Sequence, residues 1–188
     1  MEIIDKQDFE SLMSEVDELT NYYTEITNNI LISYTQDFDD LMRDLKRDII
    51  ENEPTDMLLE KYLLELNNML YFLSSKLEDV GIKDDISNML TKEVYNNSYL
   101  NNRVKDSEKK NKYTVAELTA IAENDSKQQN VLHSIYTRVY KQMKSKMDAG
   151  YDMVNSLRKI ITRRMQESNL STFTPKSRYL TEDMQGDY

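Results

Sequence analysis

The residues in this chain that could do chemistry are cations and tyrosines. Tyr95 and Tyr99 stand one helical turn apart, beside RVKDSEKKNK (103–112), where Arg103, Lys105, Lys109, Lys110 and Lys112 outnumber Asp106 and Glu108. Flat rings stack on bases and cations neutralise phosphates, the combination that holds single-stranded nucleic acid. A second basic set, Arg138, Lys141, Lys144, Arg158, Lys159, Arg163 and Arg164, lies further on; Asp148, Asp152 and Glu167 are the only acids from 127 to 167. This set reads equally as a binding stripe or as the solvated face of a bundle. Most other tyrosines, such as Tyr62 and Tyr136, fall at apolar-seam spacing and are read as core.

Other chemistries find little support. His133 is the single histidine and cysteine is absent, which excludes thiolate and multi-histidine metal sites and leaves no disulfide. The acid pairs Asp39–Asp40 and Asp84–Asp85 lack the apolar surroundings that would split their pKa values for acid–base work. Three glycines cannot build a phosphate loop, and no acidic run has calcium-loop spacing. No enzyme motif, cofactor site or metal site is expected.

The positioning elements are helices. Leu59, Leu63, Leu66, Leu70, Leu73, Leu77 and Val80 alternate steps of four and three, the 3.5-residue period of a seam turned toward a partner helix. Leu58, Tyr62, Met69 and Phe72 widen it, with Pro54 before and Gly81 after as start and stop signals. Period alone leaves open whether the partner belongs to the same chain. Only 3 Gly and 2 Pro among 188 residues argue against a turn-rich sheet protein. No secretory leader is visible at the acidic start, and no apolar run reaches the roughly 18–20 residues of a membrane span. The expectation is a soluble intracellular protein.

Charge is segregated. The net −10 divides into 17 acidic against 4 basic residues over 1–60, 8 against 9 over 61–112, and 6 against 9 over 113–167. An acidic front thus precedes a mildly basic remainder, and the acidic face reads first as solvated surface.

In chain order, Phe9, Leu12, Met13, Val16, Leu19, Tyr23, Ile26 and Ile30 predict a helix over about 5–34, with Asp5 as N-cap. Thr35–Asp37 offers a break before a short helix carrying Phe38, Leu41, Met42, Leu45 and Ile49. After the leucine helix, 83–104 is a more polar helix anchored by Ile86, Met89, Leu90, Val94 and Leu100, and 103–112 is an exposed connection. Thr114 and Glu117 have capping-box spacing, with Tyr113 and Leu118 as the staple. The helix begun there either breaks near 125–128 or carries Asp125 and Gln129 as a polar layer, and Gly150 allows a close crossing or a bend.

From Phe38 to Arg164 the chain resembles the UvsY recombination mediators of T-even bacteriophages. DDLMRDLKRDII (39–50) resembles that family's opening helix, LNNMLYFLSSKL (66–77) its next helix, and KEVYNNSYL (92–100) its lysine-rich helix. Tyr113, Glu117 and Asp125 match a Tyr, Glu and Asp at the same mutual spacing. The resemblance implies a non-catalytic protein of the infected bacterium's cytoplasm. It would bind single-stranded DNA, form a homo-oligomeric ring (hexamer or heptamer), and load a RecA-like recombinase onto strands covered by single-strand-binding protein. The family's basic pair falls on Asn97 and Tyr99, so DNA contact would pass to Lys92, Arg103, Lys105, Lys109, Lys110 and Lys112, with Tyr99 stacking.

The sequence therefore predicts an all-α, elongated helical bundle with coiled-coil-like seams. Its parts would be an acidic helical extension (1–36), a UvsY-like domain (37–167) and a flexible tail (168–188). Leu132, Tyr136, Val139, Met143, Val154, Leu157 and Ile161 on the last helix are assigned to self-association. The competing reading is a phage scaffold or chaperone coiled coil acting through its acidic front.

Overall fold

The computed structural model describes residues 6–107 and 113–172, with side chains over 10–103 and 113–170. All regular structure among the described residues is helical: α1 (Lys6–Glu51), α2 (Asp56–Ser107), α3 (Val115–Asp125) and α4 (Lys127–Thr172). Arg164 Nη1 donates to the carbonyl of Pro54, and Lys146 reaches Asp39, so α1 runs parallel to α4. Asp84 meets Thr137 and Ser98 meets Asp125, so α2 runs antiparallel to it. Three helices thus lie side by side, with α3 continuing along the far end of α2.

The leucine helix faces its own chain. Leu59, Leu66, Leu70, Leu73 and Val80 are buried against Ile135, Val139, Met143, Met147, Val154, Leu157 and Ile161 of α4. Leu31, Phe38 and Leu45 of α1 close the third side. Tyr62 is buried as expected, whereas Phe72 is 62% exposed and does not widen the seam.

Two expected helix ends are absent because packing outweighs the local signal. At Thr35–Asp37 the helix continues through a fully buried Thr35, whose hydroxyl donates to Asp39 Oδ2 at 2.9 Å. The Lys146 ammonium donates to both residues, so the polar groups that suggested a break form a cross-link from α1 to α4. No helix end therefore falls at the expected 36/37 boundary. At Gly81 the helix also continues, with the Tyr140 ring placed where an added Cβ would make an ordinary contact. The true start of α2 lies after Pro54, where the Thr55 hydroxyl accepts from Leu58 N–H.

Near 125–128 the chain breaks at the buried Ser126, whose N–H and hydroxyl both donate to the Ala122 carbonyl. Asp125 is exposed and accepts from Ser98, so it forms no internal polar layer. The capping box of α3 is present: Thr114 Oγ1 accepts from Glu117 N–H, and Glu117 Oε2 accepts from Thr114 N–H at 2.7 Å. That backbone donor also holds the Glu117 carboxyl below its ordinary value. The helix α4 continues to Thr172, past the expected start of the tail at 168. Residues 173–188 and the expected N-cap Asp5 lie outside the described residues.

Gly150 sits where α1, α2 and α4 come together. A Cβ there would lie 2.7 Å from Leu70 Cδ2 and 3.0 Å from Phe38 Cζ, so a hydrogen is what allows α1, α2 and α4 to meet.

Candidate nucleic-acid interface

The cations of α4 fall into two groups. From Lys127 to Met147 the helix carries Lys127, Arg138, Lys141, Lys144 and Lys146 and no acid. Lys127 and Arg138 are about three turns apart and share a face; Lys141 and Lys144 follow at three-residue steps. These four are exposed and make no ion pair among the described residues, while Lys146 turns inward to Asp39. In the C-terminal half, Arg163 pairs with Glu167, and Arg164 is held by Pro54 and Asp56. Arg158 and Lys159 remain exposed there. The basic surface is therefore concentrated at the start of α4, not spread along it.

On α2, Lys92 and Arg103 are exposed. Tyr95 and Tyr99 are half-buried and stack on each other, with centroids 6.5 Å apart and planes 14° from parallel. Their facing rings leave fewer open faces for a base than two separate side chains would. Arg103 and Lys105 belong to α2, which runs to Ser107, and not to a connection. The Lys105 side chain, and Lys109, Lys110 and Lys112 altogether, lie outside the described residues.

Of the residues assigned to self-association, Val139, Met143, Val154, Leu157 and Ile161 are buried in the single-chain core against α2 and α1. Sequence period cannot distinguish a partner helix within the chain from one outside it, and here the leucines of α2 take the place of the second copy. Tyr136 is half-buried against the same core, and Leu132 remains 43% exposed.

An uncovered surface appears elsewhere. The α1 seam continues outward from half-buried Ile30, Ile26 and Tyr23 to Leu19, Val16, Met13 and Leu12, which are about half exposed. Every residue from Glu10 to Tyr22 is exposed, a rod of roughly 20 Å at 1.5 Å per residue. Where this rod leaves the bundle, two clefts of about 310 and 490 Å³ open beside Tyr23, both reaching Lys127, Val131 and Ile135 of α4. Sequence reasoning could not single out this surface, because exposed and buried parts of the seam share one period.

The polar groups nearest to acid–base geometry join α2 to α4. His133 Nδ1 lies 3.1 Å from Asp84 Oδ1, which also accepts from Thr137 Oγ1 at 2.6 Å. The Thr137–Asp84 hydrogen bond ties the two helices together, with the His133 ring beside it. At the other end Tyr62 donates to Asp48, which pushes the phenol up to about 12 and the carboxyl down. Among the described residues no cluster of acids and histidine has metal-binding geometry, and no helix is long and apolar enough to cross a membrane. No family model, curated protein or solved structure matches this chain.

Proposed function

We propose that this protein is a non-catalytic, single-stranded-DNA-binding recombination mediator. In this reading it self-associates into a ring and loads a RecA-like recombinase onto strands covered by single-strand-binding protein. The observation that carries the DNA half is the acid-free stretch Lys127–Met147, whose Lys127, Arg138, Lys141 and Lys144 are exposed on one helix. Lys92 and Arg103 on α2 add exposed charge, and Lys105, Lys109, Lys110 and Lys112 add more in sequence. A flexible polyanion is held by several such contacts acting together. The loading role rests on the resemblance over 38–164.

The test is anisotropy of a labelled oligonucleotide. With about five phosphate contacts, affinity should fall roughly 100-fold between about 50 and 200 mM salt. Charge reversal at Lys141 and Lys144, the exposed cations of that stretch outside the α1–α4 clefts, together with Lys105, Lys109, Lys110 and Lys112, should abolish binding without altering assembly. Absence of any binding at the lower salt would refute the reading.

A scaffold or chaperone function is the second reading, favoured by the exposed acidic half of α1. It predicts assembly without salt-sensitive DNA binding.

A further inference from the structure

We infer that the exposed half of α1 docks in the cleft between α1 and α4 of a second copy of this chain. This inference rests on the self-association in the proposed function and assigns it a surface. Three observations carry it.

First, α1 has one apolar seam and two fates for it. Ile26 and Ile30 are packed on the core, while Leu19, Val16 and Leu12 continue the same line and are about half exposed. Such a stripe in water is the apolar face of a helix that lacks its partner.

Second, a complementary surface exists at the point where the stripe leaves the bundle. The paired clefts have an apolar floor of Tyr23, Ile26, Val131 and Ile135, with Lys127 and Arg138 at the rim. No base occurs from residue 7 to 42, and Glu10, Glu15, Asp17 and Glu18 flank the stripe. An acidic apolar helix thus matches a cleft with an apolar floor and a cationic rim in both burial and charge.

Third, the two surfaces cannot meet within one molecule. Residues 22–27 of α1 form a wall of the cleft, and α1 is a continuous helix from Lys6 to Glu51, so the stripe points away from the cleft that its own helix lines. A second copy carries both halves. The contact pairs unlike surfaces, so it closes into a reciprocal dimer or propagates head to tail into a ring.

The full-length chain is tested by sedimentation velocity at about 10 µM in about 50 mM salt. Wild type should exceed the 22.3 kDa monomer at least twofold, and Val16→Glu/Leu19→Glu should sediment as monomer. Both positions are exposed, so far-UV circular dichroism should stay unchanged. Glu15→Lys/Glu18→Lys and Lys127→Glu/Arg138→Glu should each weaken association about tenfold or more, and an equimolar mixture should restore it, since each then meets its opposite charge. A monomeric wild type, an assembled Val16→Glu/Leu19→Glu, or a mixture that fails to recover would overturn the inference. Oligonucleotide anisotropy separates the two claims. A chain that assembles this way without binding DNA refutes only the DNA reading, and one that binds DNA as a monomer refutes only this docking.

Discussion

Replacing Gly150 and Gly81 by alanine should change stability in opposite directions, although both are interior positions of long helices. Removing a helical glycine is worth up to about 1 kcal/mol from propensity alone. At Gly81 the new methyl would meet Tyr140 Cε2 at 3.4 Å, an ordinary contact, so the propensity gain survives. The expected effect is stabilisation by roughly 0.5–1 kcal/mol. At Gly150 the methyl would sit 2.7 Å from Leu70 Cδ2 and 3.0 and 3.1 Å from two atoms of the Phe38 ring. Leu70 is 1% and Phe38 4% exposed, so neither has solvent to move into. Overpacking of this kind costs about 1–3 kcal/mol, which outweighs the propensity term and leaves a net loss near 1 kcal/mol. Gly150→Val adds a second overlap and should lose more. Urea unfolding at one fixed protein concentration reads the shifts as midpoint changes at constant slope. A Gly150→Ala chain as stable as wild type would refute the claim that three helices meet there.

The Tyr62–Asp48 hydrogen bond should bound stability at both ends of the pH scale. The folded phenol is raised from 10.0 to about 12, so its contribution is complete below pH 10 and is lost as pH rises toward 12. The folded carboxyl is lowered, so its contribution is present above 3.8 and fades as pH falls below that value. Absorbance titration should show one late tyrosine that disappears in Tyr62→Phe; loss of a different ionisation would contradict the assignment. Lys146→Met should destabilise the chain by about 1–2 kcal/mol, because it leaves the Asp39 carboxylate partly buried beside Thr35 without its cation. A double-mutant cycle with Asp39→Asn should return a coupling of similar size; strict additivity would show that the cross-link contributes nothing.

The helical class and most of the core were legible because periodicity integrates over many residues. Leu59, Leu66, Leu70, Leu73 and Val80 are buried as the seam requires, and Thr114 with Glu117 forms the capping box. The misread boundaries at Thr35–Asp37 and Gly81 rested on single residues, whose local preference of about 1 kcal/mol is smaller than the packing around them. Tyr140 over Gly81 and Lys146 beside Thr35 come from distant sequence and leave no local trace. At the candidate interface, composition showed where cations are frequent but not which are already engaged. Lys146 and Arg164 look like Lys144 and Arg158 on paper, yet they are tied to α1 and to the turn after it. The same limit explains the α4 seam residues, whose period is the one a second copy would require.

The unbroken α1 has a mechanical consequence. A free peptide of the length of residues 10–22 would scarcely hold a helix in water, because starting one is the costly step. Here the turns from Tyr23 onward, clamped to the bundle, act as a permanent seed, and the outer turns grow from it. Whatever grips Leu12 or Val16 therefore meets a pre-shaped lever. Its aim is set roughly 30–50 Å away by Phe38 and Leu45.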